Sequence, residues 1–197
     1  MALSARTPVQ KPATLEDFLA IPPSERFHEI LDGELVRKVM PSARHGSAQS
    51  RLLIRLGPYD SDGDSHAPGG WWLMTEVEIL LPGRQPVRPD LVGWRVERMP
   101  ELPDEFPVPL RPDWVCEVVS PKNGRRDTVV KFQDYARAGI PHYWLVDLEQ
   151  TEFSAFWLTD GHYALQAEGK PGDTLRVEPF EMVELPIGYL FGGRRSA

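Results

Sequence analysis

The 197-residue chain is long enough for one domain with a full hydrophobic core, and 41% hydrophobic with 26% charged residues excludes a disordered or fibrous repeat protein. A formal charge of −7 and a pI near 5.3 exclude nucleic-acid coating by global attraction, so any such contact needs a local basic patch or bridging cations. The single cysteine, Cys116, excludes a disulfide scaffold and a cysteine-based zinc site.

The start, MALSARTPVQKPATLED, lacks the apolar core of a secretion signal, and no apolar run reaches the roughly 18 to 20 residues that span a bilayer. A cytoplasmic protein without membrane association is expected, with one ordered domain over residues 14–192 and residues 1–12 as a flexible tail.

Thr14-Leu-Glu-Asp17 has the form of a capping box, so a short helix is predicted over Leu15 to Ala20, ending before Pro22-Pro23. FHEIL and ELVRKV flank Asp32-Gly33, a pair that tolerates the positive φ angles of a tight turn, and form a hairpin. From His45 to Leu56, Ala48, Leu52, Leu53 and Leu56 recur at helical spacing, which marks an amphipathic helix packed on a sheet. DSDGDSHAPGG is a loop.

WWLMTEVEILL alternates well and reads as one long strand, with Leu73, Thr75, Val77, Ile79 and Leu81 on one face and Glu76 and Glu78 on the other. VRPDLVGW gives a second strand with Asp90 near its start, and Pro100 to Pro112 is a surface excursion. WVCEVV is a continuous apolar run broken by one acid, as expected of a central strand buried on both faces, with Cys116 as a small packed residue.

Asp127 to Ala138 has helical spacing and stops at Gly139, after which HYWLVD resumes as a strand. The two strands and the helix between them form a β-α-β unit, so the strands run parallel. TEFSAFWL, HYALQAE and TLRVEPF form a meander at the sheet edge. Trp71-Trp72, Tyr143-Trp144 and Phe156-Trp157 read as core before interface.

An ionised carboxylate inside an apolar strand is costly unless paired, hydrogen-bonded or bound to a cation, so Glu117 requires a partner. Asp90 lies on the face opposite Pro89 and Leu91, and if the two strands pair, the carboxylates converge. Such a pair suits a hard cation, Mg²⁺ or Mn²⁺, completed by a substrate phosphate. Lys131 on the following helix supplies an ammonium, with Asp127 four residues before it on the same face. Taken alone, the blander reading is favoured for that pair, an ordinary exposed helix-face contact, with Asp90 capping a turn.

In order, FHEILDGELV, Arg44-His45, RPDLV, WVCEVVSP and DTVVKFQDYARAGIPHYWLVD resemble the Uma family of restriction-endonuclease-like proteins, a branch of the PD-(D/E)XK nuclease superfamily. The resemblance implies an α/β fold, with a central mixed sheet flanked by helices, an N-terminal hairpin and a C-terminal β-meander. It further implies a divalent-metal site and phosphodiester hydrolysis as the ancestral activity. By position Asp90 and Glu117 match the two acidic elements, and Glu29 matches an acid of the first hairpin, which reads as a further metal or water ligand or equally as a strand-face charge beside the Asp-Gly turn. Val119 stands where the superfamily carries a lysine, and the resemblance implies that Lys131 takes over.

His45 is a candidate for phosphate contact or proton transfer, with a capping or hydrogen-bonded role as the simpler reading. Tyr135 is placed to orient Lys131 or to pack, Ser120 to hydrogen-bond the loop backbone, and Glu76 and Glu78 are second-rank ligands. The leading expectation is a metal-dependent endonuclease acting on DNA. The alternative is a non-catalytic interaction module, such as a homodimer, that keeps the nuclease fold, as the acidic charge and Val119 suggest. A glycosidase with paired carboxylates fits less well, since nothing suggests a sugar platform.

Overall fold

A computed structural model of the protein describes residues 11–60, 68–83, 85–119 and 125–192, with the side chains of 125–127 excepted. The elements are α1 (Leu15–Leu19), β1 (His28–Leu31), β2 (Glu34–Arg37), α2 (Ala43–Leu56), β3 (Trp71–Thr75), β4 (Ile79–Leu81), β5 (Gln85–Val87) and β6 (Leu91–Arg95). They continue with β7 (Trp114–Val119), α3 (Arg125–Arg137), β8 (His142–Asp147), β9 (Glu152–Thr159), β10 (His162–Gly169), β11 (Thr174–Leu175), β12 (Leu185–Pro186) and α4 (Ile187–Leu190).

Six strands form the central sheet in the order β10-β9-β8-β7-β6-β3. Only the β7–β8 pairing is parallel, with α3 as its crossover, so the sheet is mixed. As the apolar run predicted, β7 is buried on both faces and sits in the middle of the order. Trp114, Cys116 and Val118 face α2, where they join Leu52, Leu56, Trp144 and Phe180. Val115 faces the other layer, with Tyr135, Ile140 and Tyr143. Burial raises the Cys116 thiol well above its ordinary pKa, as befits a packed residue.

Local signals explain the ends of several elements. Thr14 and Asp17 form the reciprocal capping box that starts α1. Asp32 and Gly33 take positive φ angles of 49° and 76°, which close the β1–β2 hairpin. Ser42 accepts a hydrogen bond from the His45 backbone N–H at 3.2 Å and caps α2, which therefore opens two residues earlier than the apolar spacing suggests. Gly93 lies where the sheet meets the Trp71 and Trp114 rings, and a Cβ there would come within 3.0 to 3.3 Å of Leu73 and both indoles.

Several expectations are corrected. The predicted strand from Trp71 to Leu81 breaks at Glu76, whose φ of 57° is left-handed. Its first half pairs with β6 in the central sheet and its second half with β5 in a separate two-stranded ladder. Alternation is the same in one strand or two, so the break is invisible to it. The predicted strand VRPDLVGW likewise divides, and Arg88-Pro89-Asp90 forms the link between β5 and β6.

TLRVEPF does not extend the meander. Only Thr174–Leu175 is a strand, paired with Leu185–Pro186, because Phe180 turns inward against Trp71, Trp114 and Trp144 at ring distances of 4.9 to 5.4 Å. The proline-rich passage is not wholly superficial either. Val108 is buried and exchanges backbone hydrogen bonds with Glu78 and Leu80, each 2.8 Å. Of the aromatic pairs, Trp71, Tyr143 and Trp144 are core, and Trp157 is exposed.

Candidate active site

The hairpin, the N-terminal half of α2, the β5–β6 link, β7 and α3 converge on one side of the sheet. Glu29, Lys38, Asp90, Glu117, Val119 and Lys131 line a cavity of about 50 Å³ there, enough for a few waters or an ion with part of its hydration. Glu29, His45, Asp90, Glu117, Lys131 and Tyr135 are all buried.

The β6–β7 register pairs Leu91 with Cys116 and Val92 with Val115, so one step further Asp90 stands opposite Glu117, as the motif reading anticipated. Asp90 Oδ2 accepts the Val118 backbone N–H at 2.7 Å. Its Oδ1 lies 2.8 Å from Lys38 Nζ and 3.3 Å from His45 Nε2. Asp90 therefore braces the neighbouring strand instead of capping a turn.

Lys131 is not on an exposed helix face. It is buried, and its Nζ lies 2.7 Å from Glu29 Oε1 and 3.1 Å from Glu117 Oε1. Tyr135 Oη donates to the same Glu117 oxygen at 2.7 Å, so the tyrosine holds the carboxylate and reaches the lysine only through it. Glu29 also accepts the Arg88 backbone N–H at 2.7 Å. Ser120 and the Asp127 side chain lie outside the described residues.

Two residues absent from the sequence reading, Lys38 and Gln49, complete the cluster, and Arg88 borders it. Lys38, just beyond β2, places Nζ 2.7 Å from Glu76 Oε2 and 2.9 Å from the Arg88 carbonyl. Gln49, one turn after His45, donates to Glu76 Oε1 at 3.1 Å and to the Asp90 carbonyl at 3.2 Å. Arg88 shapes the link between β5 and β6. Its guanidinium lies 2.5 Å from Glu78, which Arg26 also contacts at 3.1 Å. Glu78 is thereby committed to a separate ion pair, and of the two second-rank acids only Glu76 reaches the cluster.

The electrostatics separate the two central acids. Burial alone would raise the Asp90 carboxyl, but the Lys38 ammonium and His45 outweigh it and hold Asp90 well below the usual carboxylate range. Burial lifts Glu117 to about 7, because its ammonium partner, Lys131, is shared with Glu29 and offsets only part of the cost. Burial would also discharge Lys131, yet Glu117 and Glu29 keep it charged, with its pKa above the ordinary value. The Tyr135 phenol, raised well above its usual pKa by burial, remains a hydrogen-bond donor.

Fold and site together define a mixed α/β protein with two acids at adjoining strand positions and a buried lysine from the next helix. The chain belongs to the Uma2 family, described as "Putative restriction endonuclease", whose model matches residues 15–188. Among solved structures it is similar to "a putative nuclease belonging to DUF820" from Anabaena variabilis ATCC 29413. The two share 21% identity at a TM-score of 0.72, over 91% of this chain and 98% of the other. That likeness shows that the two chains share a fold. No curated protein matches the sequence. No helix among the described residues is long and apolar enough to cross a membrane.

Proposed function

We propose that the protein is a Mg²⁺- or Mn²⁺-dependent endonuclease that hydrolyses phosphodiester bonds in DNA, with Asp90, Glu117 and Lys131 as its catalytic residues. One observation carries this reading: three buried carboxylates, Glu29, Asp90 and Glu117, and two ammoniums, Lys38 and Lys131, line one small cavity, with Asp90 and Glu117 at adjoining strand positions. Burial disfavours the charged form of Glu117, and a cation in the cavity would offset that cost. A divalent cation fits the cavity in charge and in oxygen-donor chemistry.

Asp90 and Glu117 would hold the ion. When bound, such an ion polarises a phosphoryl oxygen and makes a neighbouring water more acidic. The chain supplies the rest. Lys131, fixed between Glu29 and Glu117, presents positive charge where a phosphate would gain negative charge in the transition state. Tyr135 fixes the Glu117 carboxylate, and the Val118 N–H fixes Asp90, so neither ligand has to be ordered when substrate arrives. Glu29 belongs to Lys131 in this reading and serves as a positioning residue instead of a ligand. A bound cation also answers the net charge of −7, because it bridges acid to phosphate locally.

Incubation of purified protein with supercoiled plasmid and Mg²⁺ or Mn²⁺ tests the activity. Nicking that a chelator stops is the expected result. Protein that binds metal in titration calorimetry yet leaves DNA intact would instead be the non-catalytic module.

A further inference from the structure

Asp90 faces two ways, and the side away from Glu117 forms a second constellation. His45, Glu76 and Asp90 each bring one ligand atom within 4.8 Å of the others. The His45 ring is 2% exposed; its Nδ1 has no hydrogen-bond partner among the described residues, and its Nε2 lies 3.3 Å from Asp90 Oδ1. A buried imidazole left in that condition is costly.

The acids around it are held by their other oxygens. Val118 N–H takes Asp90 Oδ2, and Gln49 takes Glu76 Oε1, which leaves Asp90 Oδ1 and Glu76 Oε2 directed at a common point. The left-handed backbone at Glu76, unusual for a residue with a side chain, is what turns that acid out of β3. Lys38 Nζ sits at the point, 2.7 to 2.9 Å from Glu76 Oε2, Asp90 Oδ1 and the Arg88 carbonyl. The pocket therefore already holds a cation, one carried on a flexible stem that borders the open cavity.

We propose that His45, Glu76 and Asp90 form a second divalent-cation site, which accepts first-row transition ions, Mn²⁺ included, more readily than Mg²⁺, and that Lys38 fills it until a metal displaces its ammonium. The nitrogen donor sets the preference, because imidazole suits Zn²⁺, Fe²⁺ and Ni²⁺ best and Mg²⁺ prefers oxygen, with Mn²⁺ between them and useful as the paramagnetic reporter. The site shares Asp90 with the nuclease reading but does not depend on turnover.

Mn²⁺ alone is the probe, added to the full chain and followed by electron paramagnetic resonance. Free ion is read from the solution signal, and ¹⁴N coupling to bound ion is read by pulsed measurement. Wild-type protein is expected to show the coupling and His45→Gln to lose it. Lys38→Met is expected to bind Mn²⁺ at least tenfold more tightly, since its site has no resident ammonium. If His45→Gln does not melt cooperatively, Glu76→Gln serves instead, with binding expected to weaken at least tenfold.

The proposal is overturned by bound Mn²⁺ without nitrogen coupling, by coupling that survives in His45→Gln, or by a Lys38→Met affinity equal to or below wild type. Absence of binding in both wild type and Lys38→Met overturns it as well. Glu117→Gln separates the two sites. Coupling retained there supports the second site, even if DNA cleavage proves indifferent to Glu117 and the nuclease assignment falls. Coupling lost there, with cleavage lost too, overturns the second site and leaves the nuclease assignment standing.

Discussion

Glu29 of the first hairpin and Lys131 of α3 meet at 2.7 Å in the protein interior, and the same ammonium reaches Glu117 at 3.1 Å. The hairpin is therefore part of the site, since it holds from one side the lysine that Glu117 holds from the other. Removing the Glu29 charge while keeping its shape is expected to slow DNA cleavage with little change in metal affinity. Glu29→Gln should lower kcat by about tenfold, the scale of a displaced charge-assisted contact. Glu29→Ala should also cost about 3 kcal/mol of stability, because it leaves buried charge less well compensated. Steady-state cleavage kinetics and urea unfolding check the two outcomes.

Tyr135 spends its hydroxyl on Glu117 Oε1. Tyr135→Phe keeps the ring in the core and removes only that bond. A loss of about 1 to 2 kcal/mol is expected in urea denaturation, together with reduced cleavage. An unchanged unfolding midpoint would show that the bond carries no weight.

His142 is half-buried against Trp157, and desolvation, aided by Arg95, lowers its pKa to about 4. The folded protein thus resists protonation there, and the unfolded chain, with an ordinary value of 6.5, does not. The stability held by the neutral ring is complete above pH 6.5 and is lost as pH falls from 6.5 towards 4. Thermal melts of His142→Gln should fall less steeply than wild type across that interval.

Gly93 has the Trp71 and Trp114 rings and Leu73 at van der Waals contact or closer to any added Cβ. Gly93→Val should destabilise the fold by about 1 to 3 kcal/mol through overpacking, which chemical denaturation would measure.

Much of this arrangement was legible in residues 114–147. A lone acid in an apolar run could only be a central strand with a partnered carboxylate, and the helical spacing after it put Lys131 within reach. Lys38 was not legible. A basic residue at the end of an exposed hairpin strand looks like solvated charge, and its partners Glu76 and Asp90 are brought to it only by the fold. Glu76 was half legible, because alternation marked its strand but could not show the left-handed turn that parts it from Glu78. Gln49 was hidden for a different reason. Its neighbours Ala48 and Leu52 define the apolar stripe of α2, and a glutamine beside that stripe reads as surface.

The central claim is that Asp90 and Glu117 jointly support metal-dependent cleavage beside Lys131, and the rate of plasmid nicking by Asp90→Asn and Glu117→Gln tests it most directly. With saturating Mn²⁺ and both variants shown to melt cooperatively, each should cut at least 100-fold more slowly than wild type. Cleavage at the wild-type rate by either variant would contradict the account.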